Sequence, residues 1–244
     1  QGRRPEAERA SRAAVAIDPD FAEALNNLGV LLRETERVEE AVEVLASAVR
    51  ARPGLASAQL NYGLALEELD RGDEAMAAYR RVIELAPREP TARIQLGLLQ
   101  LDAGEREQAL LTLRRAAPLA RESRALLSAL GNGLRRAGDA AMAARVLREA
   151  VEAGEEPAPA PGVAELALAE VAAGHREEAE QILTRLVGER ADYADGHYLL
   201  ANMLAARRAY RDAARHYERY LRLEPRGPLA AEAQGRLAYV RRQR

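Results

Sequence analysis

The sequence predicts an all-α fold in which antiparallel helical hairpins stack into a solenoid. Three observations predict it: marker residues recur at a fixed period, apolar residues follow helical spacing, and a polar loop divides each period in two. The period is 34 residues, and its markers are Gly29, Gly63, Gly97 and Gly131, then Ala7, Ala41, Ala75, Ala109 and Ala143, then Pro19, Pro53 and Pro87. After a two-residue slip, the later markers are Ala179, Ala213 and Pro225.

Each period contains two amphipathic segments. An apolar residue precedes each glycine, as Leu28 precedes Gly29, and another follows three positions after it. In the second segment, a large apolar residue follows the alanine by four positions: Leu45, Tyr79, Leu113, Leu147, Leu183 and Tyr217. Apolar positions three and four apart predict helices, and the loops "DRGD", "DAGE", "RAGD" and "AAGH" contain turn-forming residues. We therefore expect one helical hairpin per period.

This pattern of small and large residues resembles the tetratricopeptide repeat, and the similarity covers nearly the whole chain. The resemblance implies a right-handed superhelical solenoid in which the first helix of each hairpin lines a concave groove. The small residues also have a physical reason, because Gly or Ala at each helix contact lets two helices approach closely. A leucine at Ala75 would overpack this contact by roughly 1–3 kcal/mol.

The repeat frame predicts the organisation of the chain. It assigns 1–21 to the second helix of a truncated repeat, 22–55, 56–89, 90–123, 124–157, 158–193 and 194–227 to six full repeats, and 228–244 to a capping helix. Pro118 is expected to end or kink its helix early. The segment "GEEPAPAPG" at 154–162 is expected to form a stiff joint that kinks one continuous solenoid. A start in mid-repeat and without Met indicates a processed or excised chain, or a deliberately truncated first repeat.

Composition excludes several classes of function. The net charge is −2 and aromatic residues are 4% of the chain, so it lacks the basic excess and stacking platforms of a general nucleic-acid binder. The absence of cysteine excludes disulfides, thiol catalysis and cysteine-ligated metals. No apolar run approaches the roughly 20 residues that span a bilayer, so we expect no direct membrane insertion. The cytoplasm is favoured, with the periplasm or envelope as alternatives if an N-terminal signal was removed.

Residues with catalytic or metal-binding potential are sparse. In the repeat frame, His175 falls in a hairpin loop, His197 in a first helix and His216 in a second helix, with no spacing that would present two of them to one metal. The segment "GNGLRRAG" at 131–138 suggests a phosphate loop, but it lacks the required Lys and Ser or Thr and lies within a helix. We expect no catalysis, no metal and no cofactor.

The resemblance places particular side chains in the groove. Asn27, Asn61 and Gln95 each lie two positions before a repeat glycine, and Asn26 lies beside Asn27. A carboxamide both donates and accepts, so this ladder can pair with the backbone of an extended peptide, and family members that hold peptides use asparagine at this site. The alternative is that these amides bond only to neighbouring turns or water.

Apolar and charged residues complete the predicted groove. Its apolar positions in the second and third repeats are Leu60, Leu64, Ile94, Leu98 and Leu101, which would contact a partner's apolar side chains unless adjacent repeats bury them. Its rim carries Glu34, Glu68, Asp102 and then Arg136. This order favours a partner that is basic at one end and acidic at the other, unless the charges are simply solvated. The first two repeats offer no cations for clamping a peptide carboxylate.

These features predict a non-catalytic protein-interaction scaffold that captures a peptide or protein segment in its groove. One alternative is a structural or assembly factor of the bacterial envelope or pilus type, which would dock through its convex face or terminal helices. Another is the regulatory repeat domain of a longer enzyme. We expect a protein or peptide partner and no nucleic acid, and self-association is left open.

Overall fold

The computed structural model describes residues 3–121, 123–153 and 157–243. Within these residues the chain forms fourteen α-helices and no strand, which confirms the all-α class. The helices are α1 (Arg3–Ile17), α2 (Ala22–Glu34), α3 (Val38–Ala51), α4 (Ala56–Glu68), α5 (Gly72–Leu85), α6 (Pro90–Asp102), α7 (Arg106–Ala116), α8 (Arg124–Ala137), α9 (Ala140–Glu152), α10 (Ala160–Ala173), α11 (Arg176–Glu189), α12 (Ala194–Ala206), α13 (Tyr210–Leu223) and α14 (Ala230–Arg242). No helix in these ranges is long and apolar enough to cross a membrane.

Consecutive helices pair into hairpins. The pairs α2 and α3, α4 and α5, α6 and α7, α8 and α9, α10 and α11, and α12 and α13 each pack along their length, while α1 packs on α2 and α14 packs on α13. The first and last residues of each repeat stay a prediction, because they are defined by the period of the sequence and not by these helices.

The repeat glycines lie where two helices of a hairpin touch. A Cβ atom added at Gly29 would lie 2.4 Å from Cγ of Leu45, and one at Gly63 would lie 2.7 Å from the ring of Tyr79. Gly97 and Gly131 meet Leu113 and Leu147 in the same way. Real Cβ contacts are longer, so a side chain at any of these four glycines would force the facing leucine or tyrosine to shift. The partner alanines, Ala41, Ala75, Ala109, Ala143, Ala179 and Ala213, are all fully buried.

Every hairpin turn contains a residue with a left-handed backbone at the same repeat position. In three hairpins it is a glycine: Gly104, Gly138 and Gly174. In the other three it is Glu36, Asp70 or Arg208, with φ between 56° and 66°. Non-glycine residues are strained in this region, by roughly 1–2 kcal/mol. The turn geometry is therefore kept even where the sequence does not favour it.

The chain divides into two compact units, residues 1–120 and 121–244, and each is described by itself. The core of the first unit is built around Leu32, Leu45, Leu66 and Tyr79, and a second apolar cluster lies around Leu25, Ala48 and Ala58. The core of the second unit includes Leu183, Leu204, Tyr217, Tyr220 and Leu237.

The division falls near one of the two predicted irregularities. As expected from Pro118, α7 ends early at Ala116, and a 3₁₀ turn at Ala117–Leu119 follows. The boundary between the units follows Ala120. The kink expected at 154–162 falls partly on residues 154–156, which lie outside the described residues, and it stays a prediction.

Candidate functional site

In the first unit, the first helices of neighbouring hairpins contact each other, and the predicted amide ladder lies on these helices. Nδ2 of Asn61 donates a 2.8 Å hydrogen bond to Oδ1 of Asn26, which joins α4 to α2. Both side chains are half-buried, whereas the side chain of Asn27 is exposed and makes no hydrogen bond within the described residues. The structure thus brings Asn26 and Asn61 together as partners and leaves Asn27 open.

The third member of the ladder joins a different group. Nε2 of Gln95 lies 3.3 Å from both carboxylate oxygens of Glu67, which also accepts a 2.7 Å hydrogen bond from the hydroxyl of Tyr79. Burial, and then the bond to the Glu67 carboxylate, raise the pKa of Tyr79. The sequence marked Tyr79 only as a large apolar residue, because repeat spacing carries no information about the position of its hydroxyl.

The predicted apolar surface is only partly accessible. Leu60 and Leu64 are half-buried against the core of the first unit, and Leu98 and Leu101 are half-buried as well. Ile94 is only 1% exposed, so its expected contribution to an open surface is wrong. Helix spacing assigns Ile94 to the correct helix but does not tell how far adjacent helices close over it.

The predicted rim charges are exposed. Oε2 of Glu34 lies 3.3 Å from Arg4, and Oε1 of Glu68 lies 3.4 Å from Arg33 on the preceding first helix. Asp102 is exposed at the end of α6. Arg136 is exposed on α8, in the second unit.

The second unit contains an open cavity that the sequence did not predict. It has a volume of about 480 Å³ and lies among α10, α11 and α12. Its apolar lining is Ala167, Leu168, Val171, Leu183, Leu199, Met203 and Ala206. Leu168, Val171 and Leu199 occupy the repeat positions that the resemblance assigns to the groove. That signal was present in the sequence, but the proline-rich insertion and the replacement of glycine by Ala167 obscured it.

A polar rim surrounds this cavity. Arg207 forms two hydrogen bonds of 2.9 Å with the carboxylate of Glu180, and this bidentate pair links α11 to the end of α12. Arg176 and Glu177 also line the cavity. The amide oxygen of Asn202, which also lines the cavity, accepts a 2.6 Å hydrogen bond from the hydroxyl of Tyr217. This bond fixes the orientation of the amide.

Two histidines meet in the last hairpin, a contact that their spacing in the sequence did not predict. Nδ1 of His197 on α12 lies 2.9 Å from Nδ1 of His216 on α13, with the rings stacked. Nε2 of His197 faces the carbonyl oxygen of Ala191 at 3.2 Å. Burial lowers the pKa of His197; burial and then the His197 charge lower the pKa of His216. The two residues are 19 positions apart in the sequence, so their rings meet only because the hairpin brings α12 and α13 together.

One cluster of side chains has donor atoms suited to a metal. Glu170, His175 and Glu178 offer ligand atoms within 4.8 Å of one another. Arg148 forms ion pairs with both carboxylates, and Nδ1 of His175 lies 2.7 Å from Glu170, which is 1% exposed. The guanidinium thus supplies the positive charge that this buried carboxylate needs. The arrangement joins α9, α10 and α11 as an ion-pair network.

Comparison with protein families identifies the repeat. Two family models, both described as tetratricopeptide repeat, match the chain, one at residues 1–56 and 164–228 and the other at residues 56–99. Together they cover more than half of the chain. The chain belongs to the tetratricopeptide repeat family. No curated protein matches it by sequence.

Solved tetratricopeptide repeat structures share the fold at low sequence identity. PilF from Pseudomonas aeruginosa is 18% identical with a TM-score of 0.66, and the match covers 96% of this chain and 99% of that one. YrrB, described as having an unusual peptide-binding site, is 16% identical with a TM-score of 0.53, covering 93% and 98%. A chain of the anaphase-promoting-complex hetero-tetramer Cut9–Hcn1 is 18% identical with a TM-score of 0.68. Our chain is covered to 98% in that match but spans only 46% of the other chain.

The tetratricopeptide repeats and these neighbours support a general role as a protein-interaction scaffold with protein partners. The fold is typically that of a non-catalytic scaffold. The geometry of each unit is the basis for proposing which surface binds a partner and what kind of partner it is.

Proposed function

We propose that this tetratricopeptide repeat protein captures a segment of another protein on its first-helix surface, with the cavity among α10, α11 and α12 as the anchor site. The observation that carries the proposal is the cavity itself, about 480 Å³ in volume and apolar in most of its lining. Its volume falls within the range of natural ligand pockets, roughly 300–1,000 Å³. Among the side chains of a partner, an apolar one would gain the most binding free energy from burial in this cavity.

The rim of the cavity adds specificity to this anchor. The Glu180–Arg207 pair fixes one edge, and Asn202 is positioned by Tyr217 at another. Because these polar groups are already ordered, a partner backbone can form hydrogen bonds with them at little additional cost in conformational entropy. The expected ligand is therefore an extended or helical segment with one or two large apolar side chains.

The first unit supports a second contact region for the same function. Asn27 is exposed and ready to bond to a peptide backbone, whereas Asn26, Asn61 and Gln95 would first exchange their internal partners. Leu60, Leu64, Leu98 and Leu101 offer partial apolar surface beside them. Glu34, Glu68 and Asp102 favour a basic partner segment here, whereas Arg136, in the second unit, favours an acidic one. We assign the first unit the weaker part of the binding, since internal bonds compete with the ligand.

Peptide selection tests the anchor directly. Random peptides displayed on phage would be selected against the wild-type chain, and the selected peptides would be measured against Val171→Glu/Met203→Glu and Asn27→Ala/Asn61→Ala. We expect peptides with a shared apolar residue, and a loss of affinity of at least about tenfold in the first variant, because carboxylates would replace the apolar lining. Leu111→Glu is the matched control, since Leu111 is exposed on α7 in the first unit.

The outcomes separate the two regions. Binding that survives Val171→Glu/Met203→Glu but fails in Asn27→Ala/Asn61→Ala would move the anchor to the first unit. Binding that survives in both variants would reject capture on the first helices.

An assembly role is the second candidate, and one observation favours it. Tyr239 on α14 is 51% exposed, with Arg241 and Arg242 beside it, so this helix offers an aromatic and basic surface. Such a surface suits docking to a larger assembly. Tyr239→Ser would weaken that docking and leave peptide capture unchanged.

A further inference from the structure

A basic strip runs along the exposed side of α13 in the second unit. It consists of Arg208, Arg211, Arg215, Arg219 and Arg222. The last four lie on the helix at spacings of four, four and three, so they share one side of it. Arg208 precedes the helix in the turn. Four of the five side chains are exposed, and Arg219 is half-buried.

The positive charge of this strip is only partly neutralised. Arg215 pairs with Asp212, and Glu218 pairs with Arg241 of α14 at 3.0 Å. Arg219 donates to the carbonyl oxygen of Ala191, which leaves its charge in place. Arg208 and Arg222 form no ion pair within the described residues. Because Arg208, Arg219 and Arg222 keep their positive charge, the strip presents a net positive surface to solvent.

The first unit carries a matching acidic strip at equivalent positions. Glu36, Glu39 and Glu43 lie seven, ten and fourteen positions after Gly29, as Arg208, Arg211 and Arg215 do after Ala201. All three glutamates are exposed, and none forms an ion pair within the residues that the structure describes. The backbone geometry matches as well, because Glu36 has φ 62° and Arg208 has φ 66°. Two surfaces of opposite charge thus share the same spacing and the same preceding turn.

We propose that the basic strip of one copy binds the acidic strip of a second copy, so that this chain associates with itself through the exposed sides of its second helices. The complementary charges at matched spacing point to this occupant, since each unpaired carboxylate finds an arginine at the same spacing. The contact uses second helices, so it does not depend on peptide capture by the first helices. Exposed ion pairs are individually weak and screened by salt. The association should therefore be weak and should depend steeply on ionic strength.

Charge reversal tests the proposal. The mass of the chain would be measured by sedimentation velocity across a concentration series, from about 10 mM to about 1 M NaCl, over which the Debye length falls from roughly 30 to 3 Å. The variants are Arg208→Glu/Arg211→Glu/Arg215→Glu and Glu36→Arg/Glu39→Arg/Glu43→Arg. Arg145→Glu is the control, because Arg145 is an exposed arginine of α9 outside the strip. Circular dichroism would check that each variant keeps its helices.

We expect the wild type and the control to associate at low salt and dissociate at high salt. Each reversal variant alone should associate at least about tenfold more weakly, and an equimolar mixture of the two should associate again, because the reversed strips complement each other. Association that persists in either reversal variant, or a mixture that stays monomeric, would overturn the proposal. A wild-type chain that is monomeric at low salt but binds polyglutamate would also overturn it, and would assign the basic strip to another acidic partner.

Discussion

Nδ1 of His216 and Nδ1 of His197 lie 2.9 Å apart across the last hairpin, and the second nitrogen of His197 faces the Ala191 carbonyl. If Nε2 of His197 donates to that carbonyl, Nδ1 of His197 accepts a hydrogen bond from the Nδ1–H of His216. This arrangement holds both rings in place while His197 is neutral. Protonation of His197 would place its Nδ1–H directly opposite the Nδ1–H of His216, and the two donors would repel each other.

Acid should therefore destabilise the second unit. Both histidines have a pKa lowered below 6.5 in the folded state, so the unfolded chain binds more protons as the pH falls through that value. The histidine contribution to stability is thus present above about pH 6.5 and is lost below it. Arg215, Arg219 and Arg222 also oppose the charged histidines, whereas Asp212 favours protonated His216. Urea unfolding at about pH 5 and about pH 7.5 should show this loss.

The test variant for this prediction is His216→Asn, which should flatten the pH dependence of the free energy of unfolding. The control is Arg145→Met at an exposed position of α9, which should leave the pH dependence unchanged. An unchanged pH dependence in His216→Asn would contradict the assignment.

A methyl group at Gly131 should be costly. Its Cβ would lie 2.4 Å from Cγ of Leu147, so Gly131→Ala should lower the free energy of unfolding by about 1–3 kcal/mol. Leu147→Ala in the same chain should make the added methyl nearly harmless, which a double-mutant cycle would reveal as strong coupling. The control is Gly235→Ala in α14, where nothing lies within 4 Å of the new atom. That change should stabilise the helix by about 0.5–1 kcal/mol.

Replacing a strained turn residue should stabilise the first unit. Glu36 has a left-handed backbone, so Glu36→Gly should raise the free energy of unfolding by up to about 1 kcal/mol. Gly138→Ala, at the equivalent turn, should lower it by about 1–2 kcal/mol. Thermal unfolding of both variants would measure the two effects. Equal shifts in the same direction would argue against backbone strain as their cause.

Removing Arg148 should destabilise the second unit. Arg148→Met leaves the buried carboxylate of Glu170 without its guanidinium partner. Breaking a fully buried ion pair costs about 3–5 kcal/mol, which is the upper bound here because the Arg148 side chain is 42% exposed. Arg145→Met, an exposed position three residues earlier, should change stability by less than about 0.5 kcal/mol. Adding Glu170→Gln to Arg148→Met should recover part of the loss, since it removes the unpaired charge. A urea titration of the four chains would separate these contributions.

Sequence reasoning predicted the fold in detail because close helix packing needs small residues at a fixed period. Gly29 and Leu45 could be paired from their spacing alone, and Pro118 could be expected to end α7. The turn conformations of Glu36 and Arg208 could not be predicted, because neither residue favours a left-handed backbone. There the packing of the two helices overrides the local preference.

The candidate site was harder to predict than the fold. Repeat spacing assigns Asn61 and Ile94 to the first-helix face, but it does not tell whether neighbours satisfy the amide or cover the side chain. The Asn26–Asn61 bond and the burial of Ile94 both depend on how closely adjacent hairpins approach. The cavity of the second unit depends on several side chains from three helices, and the His197–His216 contact depends on helix rotation within one hairpin.

The left-handed residue at the same position in every hairpin turn has a consequence for how this chain could change in length. Within the first unit, Asp70 and Gly104 occupy the same turn position one full period apart, and both have a positive φ. Excision of residues 71–104 would join Asp70 directly to Glu105 and keep the turn conformation at the junction. Whole hairpins could thus be lost or duplicated by recombination at these turns without a new connecting loop having to arise.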